Sequence, residues 1–209
     1  MHKVLICDDH AVVRQGLKQI LLEDSNKFSC EEASNGREVL DMIAENKWDA
    51  VVLDISLPGM SGIEILKEIK KVRPKLPVLV LTVHSEEQFG LRTLKAGAAG
   101  YLTKDSAPEE LVNALKRIMN GGKYINQQIV EILMNDVDNN SDRPPHENLS
   151  NREFEIMRLI ASGKAPMQIA DELALSVKTV STYRSRLLEK MKFTTNAEIT
   201  HYAITNKLV

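Results

Sequence analysis

The first 120 residues alternate short apolar runs with amphipathic helical patterns, and this alternation constrains the fold more than any other feature. Consecutive apolar residues are typical of strands that are covered on both faces in a parallel sheet. Five strands are predicted, at 3–7, 29–33, 50–53, 78–82 and 100–102. Helical patterns follow them, at 10–22, 36–46, 62–72, 86–96 and 108–120. The pattern predicts an α/β doubly wound domain with a five-stranded parallel sheet.

After residue 120 the pattern changes. Residues 127–137 predict one more short helix, and the polar, proline-containing stretch 138–146 predicts a linker. From residue 149 only helical patterns occur, at 151–162, 166–174, 177–192 and 196–205. The sequence therefore predicts a domain over 1–120, a linker with a short helix over 121–148, and a small all-α domain over 149–209.

Acidic, hydroxyl and basic side chains stand where the predicted strands end. They are Asp8, Asp9, Asp54, Thr82 and Lys104. Ligands of such sheets bind at the carboxyl ends of the strands near the switch point, so we expect these side chains to converge. Three carboxylates in one pocket repel one another and favour a hard divalent cation, with Mg²⁺ the natural choice. The lysine and the hydroxyl suggest a phosphoryl group as the bound anion, with one carboxylate as nucleophile.

These residues, within the segments 8–9, 54–62, 81–82 and 95–104, make residues 1–120 resemble the receiver domain of two-component response regulators. The resemblance implies a flavodoxin-like fold in which Asp54 accepts phosphate from a histidine kinase. It implies a Mg²⁺ site made by Asp8, Asp9, Asp54 and the backbone carbonyl of Ser56, with Asp9 a more direct ligand than Asp8.

The same resemblance assigns the remaining pocket residues. Thr82 and Lys104 contact the phosphoryl oxygens, and Tyr101 is the aromatic switch that turns inward after phosphorylation. Asp105 follows Lys104, where many receivers have proline. The cis peptide that is common there is therefore in doubt in this chain.

The carboxy-terminal patterns predict a helix-turn-helix. Ser150 and Glu153 form a capping box at the start of the helix over 151–162. The helices over 166–174 and 177–192 are joined by a tight turn, as in DNA-binding helix-turn-helix motifs.

A helical wheel of residues 177–192 separates an apolar face from a polar face. The residues expected to pack inward are Val177, Val180, Leu187, Leu188 and Met191. The residues expected to face DNA are Lys178, Thr179, Thr182, Ser185 and Arg186, with Tyr183 at the boundary. No acid occurs from 173 to 188, which suits a surface that meets phosphates and base edges. Arg184 falls near the buried side, so we expect its stem to pack and its head to pair with an acid.

Residues 149–153, 169–170 and 176–180 resemble the LuxR-type helix-turn-helix, and the whole chain resembles a NarL/FixJ-class response regulator. The resemblance implies binding to double-stranded DNA, a cognate histidine kinase, and a homodimer on activation whose contact is the last helix, 196–206. Residues 165–167 are Ala-Pro-Met where the family has a hydroxyl, Asn and a basic residue. The missing cap costs about 0.5–1 kcal/mol.

The composition excludes several other classes. With 43% hydrophobic and 27% charged residues, the chain is typical of globular proteins. Two cysteines make no disulfide framework, and 4% aromatic residues disfavour a base-stacking platform. No apolar run approaches the ~18–20 residues that span a bilayer, and the N-terminus does not resemble a signal peptide. We therefore expect a cytoplasmic protein without membrane insertion.

The net charge of −2 hides a division along the chain. Residues 1–120 carry 16 basic and 18 acidic side chains, whereas residues 149–209 carry 9 and 6. Near-neutrality of the whole chain therefore does not exclude DNA as a partner.

The leading hypothesis is a transcription factor, not an enzyme, in which phosphorylation of Asp54 controls dimerisation and sequence-specific DNA binding. A metal-dependent phosphohydrolase would also use Asp54 as nucleophile, but Ser56 stands where its second acid is expected. A third reading is a receiver-adaptor that acts by protein contact only. A degenerate receiver that ignores phosphate is disfavoured because every pocket residue is present.

Overall fold

The computed structural model describes residues 1–24, 27–84, 86–138 and 144–209, with the backbone alone at 86–88, 132 and 135–138. The chain divides into two compact units, Met1–Ile132 and Leu133–Val209, and each is described by itself. This division falls inside a helix between residues 120 and 149, so the predicted domain limits stay predictions. The middle of the predicted linker, residues 139–143, lies outside the described residues.

The first unit is the predicted five-stranded parallel sheet, with the strand order β2-β1-β3-β4-β5. Its strands are β1 (His2–Cys7), β2 (Phe28–Ala33), β3 (Ala50–Leu53), β4 (Val78–Thr82) and β5 (Gly100–Thr103). Its helices are α1 (Ala11–Glu23), α2 (Gly36–Glu45), α3 (Gly62–Val72), α4 (Glu86–Lys95) and α5 (Ala107–Met119). The predicted short helix is α6 (Gln127–Asp138).

Helices cover both faces of this sheet. Every residue of β3 and β4 is buried, which explains why these strands are apolar without alternation. On one face, Val4 and Ile6 of β1 pack with Leu17 of α1 and Leu111 of α5. On the other face, α3 packs against both α2 and α4. Burial of each such aliphatic side chain contributes about 1.5–3 kcal/mol.

The order of the strands places two acidic residues side by side. β1 pairs with β2 on one side and with β3 on the other, with Cys7 opposite both Ala33 and Leu53. Asp8 and Asp54 therefore leave the sheet at the same level, and the Asp54 N–H donates to the Cys7 carbonyl oxygen at 2.8 Å. The edge where the strand order reverses is where such folds bind ligands.

The described residues of the second unit are helical apart from their connections. After a 3₁₀ turn (Pro145–Asn148) come α7 (Asn151–Ala161), α8 (Pro166–Glu172), α9 (Val177–Met191) and α10 (Asn196–Thr205). Helix α7 packs against α9 and α10, and α8 packs against α9. Among the helices described in both units, none is both long and apolar enough to cross a bilayer.

The capping box that opens α7 is confirmed. The Glu153 N–H donates to Ser150 Oγ at 3.3 Å, and the Ser150 N–H donates to Glu153 Oε2 at 2.7 Å. The same carboxylate oxygen lies 2.6 Å from Lys190 Nζ of α9. Glu153 therefore caps the N-terminus of α7 and also links α7 to α9 through an ion pair.

Two predictions for α9 are wrong. Val177 is 43% exposed, because it is the first residue of the helix and precedes the first buried position, Val180. A helical wheel shows only the angle of a residue about the helix axis, so it could not predict this exposure. Arg184 pairs with no acid among the described residues: its Nε donates to Asn196 Oδ1 at 2.7 Å. A neutral amide suffices there because the contact is exposed to water.

Two glycines give opposite stability predictions. A Cβ at Gly62 would lie 2.3 Å from Ile55 Cα and 2.5 Å from the Asp54 carbonyl oxygen, whereas a Cβ at Gly16 inside α1 would meet nothing within 4 Å. We expect Gly62→Ala to destabilise the first unit by roughly 1–3 kcal/mol. Gly16→Ala stabilises it by about 0.5–1 kcal/mol through helix propensity. Urea unfolding followed by Trp48, the one tryptophan of the chain, measures both, and equal effects would contradict the geometry.

Candidate functional site

Four of the predicted pocket residues meet at the carboxyl edge of the sheet. Lys104 Nζ lies 2.6 Å from Asp8 Oδ2 and 2.6 Å from Asp54 Oδ2. Both aspartates are buried, and Thr82 is buried beside them. The Lys104 N–H donates to the Thr82 carbonyl oxygen at 2.8 Å, which ties the ends of β4 and β5 together. The ammonium thus sits between two buried carboxylates and offsets their repulsion.

Loop backbone orients the two carboxylates. Asp54 Oδ1 accepts a hydrogen bond from the Ser56 N–H at 2.9 Å, and Asp8 Oδ1 accepts one from the His10 N–H at 2.8 Å. Each Oδ2 is left to face Lys104. The Lys104–Asp105 peptide is trans.

Burial and the neighbouring charges shift the pKa values of these groups. It raises the pKa of the Asp54 carboxyl above its ordinary value; Lys104 opposes this shift, and the Asp8 carboxylate adds to it. Burial alone would lower the pKa of Lys104, but the Asp54 and Asp8 carboxylates raise it. Burial also raises the pKa of the adjacent Cys7 thiol well above its ordinary value, so Cys7 is a neutral packing residue.

The donors at this edge fit a hard divalent cation. Asp9 is exposed, and one ligand atom each from Asp8, Asp9 and His10 lie within 4.8 Å of one another. Asp8 Oδ2 is buried and accepts no hydrogen bond of acceptable geometry from the part of the chain that the structure describes, although the Lys104 ammonium is close to it. Carboxylate oxygens in this arrangement are the ligands that Mg²⁺ prefers. The sequence did not single out His10, whose Nδ1 lies 2.8 Å from Asp9 Oδ1.

His84 connects several parts of the pocket, a role that the sequence did not predict. Its N–H donates to Thr82 Oγ1 at 3.3 Å, and its Nε2 lies 3.2 Å from Ser56 Oγ. Its carbonyl oxygen accepts a hydrogen bond from the Tyr101 hydroxyl at 2.9 Å. Tyr101 is 1% exposed, so the predicted switch residue lies inward in this structure, and its movement on phosphorylation stays a prediction. The position of His84 two residues after Thr82 was the only signal in the sequence.

The predicted DNA-facing residues lie on the exposed side of α9. Lys178, Thr182, Ser185 and Arg186 are exposed, and Thr179 and Tyr183 are half-buried. The Thr179 N–H donates to Ser176 Oγ at 3.0 Å, which caps the helix. The hydroxyls of Thr182 and Ser185 donate to carbonyl oxygens four residues earlier. Both hydroxyls are therefore hydrogen-bonded within α9 itself.

Helix α8 keeps half of a capping box. Ala165 offers no side-chain acceptor, but its N–H donates to Gln168 Oε1 at 2.8 Å. Lys164 pairs with the Glu172 carboxylate. The expected loss of the cap is therefore partial.

Comparison with known proteins gives matches over both units. Residues 4–116 match the response regulator receiver domain, and residues 147–203 match the bacterial regulatory proteins of the luxR family. Response regulator UvrY of Escherichia coli K12 is 35% identical over 209 residues, which cover 100% of this chain and 96% of UvrY. Response regulator GacA of Pseudomonas aeruginosa is 36% identical over 210 residues, which cover 100% and 98%.

Solved structures give the same result. RcsB of Salmonella typhimurium, described for its conformational dynamism in DNA interaction, aligns with a TM-score of 0.62 and 25% identity. The alignment covers 98% of this chain and 100% of RcsB.

Asp54→Asn tests the electrostatics of the pocket. Because the folded pKa of Asp54 is raised, the folded state binds the proton more tightly than the unfolded chain does. The resulting stability is fully present below the ordinary pKa of aspartate and is lost as the pH rises through the folded pKa. We expect Asp54→Asn, which stays neutral, to raise the melting temperature of the first unit at pH 7 in EDTA. The gain disappears as the pH falls to the ordinary pKa.

Thermal unfolding followed by Trp48 fluorescence measures this difference. Asp105→Asn is the matched control, because it removes an exposed carboxylate from the residue next to Lys104. A lower melting temperature for Asp54→Asn at pH 7 would contradict the assignment.

Proposed function

Because the chain belongs to the response regulators that join a receiver domain to a LuxR-type DNA-binding domain, we propose that phosphorylation of Asp54 controls its binding to DNA. A cognate histidine kinase supplies the phosphoryl group, and the DNA-binding domain regulates transcription. The observation that carries the proposal is the Lys104 ammonium between the buried carboxylates of Asp8 and Asp54. A protein that meets both of these proposed partners, the kinase and DNA, would work in the cytoplasm.

In this proposal Asp54 is the nucleophile. An Asp54 carboxylate oxygen forms a bond to phosphorus as the bond from phosphorus to the donor nitrogen breaks. Lys104 Nζ, now 2.6 Å from Asp54 Oδ2, pairs with a phosphoryl oxygen, and the Thr82 hydroxyl donates to another. Asp8, Asp9, Asp54 and the Ser56 carbonyl would hold Mg²⁺, which neutralises charge on the transferring group.

The link from pocket to switch runs through His84. When the Thr82 hydroxyl turns to a phosphoryl oxygen, the 3.3 Å bond from the His84 N–H to Thr82 Oγ1 is disturbed. The His84 carbonyl also holds the Tyr101 hydroxyl, so a shift of the His84 backbone acts on the ring. The phosphoryl group then selects between two arrangements of this segment.

The pocket does not favour a phosphohydrolase. Turnover needs a second acid or base beside the nucleophile, and Ser56 stands at that position with its Oγ against His84. The chemistry of Asp54 is then acceptance of one phosphoryl group and its slow loss.

DNA recognition is assigned to the exposed face of α9. Lys178 and Arg186 contact phosphates, and the short hydroxyl side chains of Thr182 and Ser185 allow close approach in the major groove. We assign the dimer contact on activation to the last helix, where Ile204 is 61% exposed. Paired half-sites would match such a dimer.

Acetyl phosphate with Mg²⁺ tests the acceptor. We expect the intact chain to gain the mass of one phosphoryl group and Asp54→Asn to gain none, because the amide is not a nucleophile of comparable strength. Asp105→Asn, an exposed neighbour of Lys104, serves as the control and should react like the parent. Multiple turnover of a small phosphomonoester would instead favour the phosphohydrolase.

Charge removal on α9 tests the DNA interface. We expect Lys178→Ala and Arg186→Ala each to weaken binding to all DNA sequences roughly three- to tenfold and to lower the salt slope by about 1. Lys207→Asn removes an exposed charge near the end of the same unit, at a left-handed position that asparagine tolerates, and should change little. Unchanged DNA binding in both α9 variants at low salt would favour the receiver-adaptor.

A further inference from the structure

Arg14 of α1 joins the ends of two strands beside the pocket. Its Nη1 donates to the Asp8 carbonyl oxygen at 2.7 Å, and its Nε donates to Glu32 Oε2 of β2 at 3.1 Å. The side chains of Arg14 and Glu32 are only 15% and 21% exposed. A planar guanidinium with donors in fixed directions can satisfy both acceptors at once.

The Asp8 carbonyl belongs to the peptide bond between the two acidic residues. Rotation of this peptide plane would turn the Asp9 side chain relative to that of Asp8. The Asp8 N–H is also held, since it donates to the Ala33 carbonyl oxygen of β2 at 3.2 Å. Both main-chain polar groups of Asp8 are therefore fixed from the side of β2, the N–H directly and the carbonyl through Arg14.

The start of α1 makes this contact more important. His10, the N-cap residue, makes no side-chain cap hydrogen bond, and the first turn carries no acid. The first backbone hydrogen bond of the helix runs from the Arg14 N–H to the His10 carbonyl oxygen at 3.1 Å. Arg14 thus anchors the 8–10 turn with both its backbone and its side chain.

We propose that Arg14 is a positioning residue for the divalent cation: by fixing the Asp8–Asp9 peptide, it holds the two carboxylates in the orientation that binds Mg²⁺. Glu32 is its counter-ion and fixes the guanidinium. This inference rests on the proposed function, because it concerns the same acidic edge. Residues that orient the ligands of a metal typically change its affinity 10–100-fold when they are removed.

Lys18 supplies a matched control. It lies one turn further along α1, and its Nζ lies 3.3 Å from Oε1 of the same Glu32 carboxylate. Its loss removes a positive charge at a similar place on the helix. The Arg14 bond to the Asp8 carbonyl is kept in that variant.

The experiment is a titration of the full chain with Mg²⁺ alone, followed by amide NMR shifts. We expect Arg14→Met to raise the Kd about tenfold, Arg14→Lys to give an intermediate value because an ammonium lacks the fork, and Lys18→Met to stay within about twofold. Phosphorylation by acetyl phosphate then shows a split: the Mg²⁺ concentration for half-maximal rate rises with the Kd, while the rate at saturating Mg²⁺ stays near that of the parent.

The outcomes separate this inference from the function on which it rests. If the parent binds Mg²⁺ and is phosphorylated but folded Arg14→Met keeps the parental Kd, the positioning role alone is overturned. A parent chain that neither binds Mg²⁺ nor accepts phosphate overturns both. If Arg14→Met does not fold, Glu32→Gln is the deciding variant, because it removes the charge of the counter-ion of Arg14. We expect its Kd for Mg²⁺ to be about threefold higher than that of the parent, and an unchanged Kd would overturn the positioning role of Arg14.

Discussion

The Lys104 ammonium between the Asp8 and Asp54 carboxylates is the interaction on which the pocket depends. Two buried carboxylates at the ends of neighbouring strands repel each other, and their removal from water is unfavourable unless a cation compensates them. Lys104 comes from the end of β5, two strands away from β3 in the order of the sheet. The strands therefore have to pair in the correct order before Lys104 can compensate the charges of Asp8 and Asp54.

The alternation of apolar runs and helical patterns predicted the sheet and nearly every helix, because the inner strands of a covered parallel sheet are apolar on both faces. The edge strand β2 departs from this rule, since it carries Glu31 and Glu32. Asp8, Asp54, Thr82 and Lys104 could be predicted for a related reason, since polar residues directly after such strands share one edge. The roles of Asp9, Tyr101 and the α9 residues stay predictions.

Other contacts could not be predicted, because they depend on loop geometry rather than on periodicity. His84 reaches Ser56 only because the loops after β3 and β4 lie side by side, and no spacing in the sequence encodes that proximity. The predicted partner of Arg184 was wrong for a similar reason. The wheel placed Arg184 near the buried side, but it could not show that Asn196, the first residue of α10, lies beside it. Arg14 falls within the predicted helix over 10–22, and its bond to the Asp8 carbonyl oxygen appears only in three dimensions.

The contact between Glu153 and Lys190 has a consequence for how ionic strength acts on the second unit. The carboxylate is buried, and it also holds the first turn of α7, so dissolved ions have little access to it. The cations of α9 that face outward are fully open to the same ions. In the proposed DNA complex, rising salt would therefore weaken the contacts between α9 and DNA, whereas the buried Glu153 carboxylate would keep α9 packed against α7.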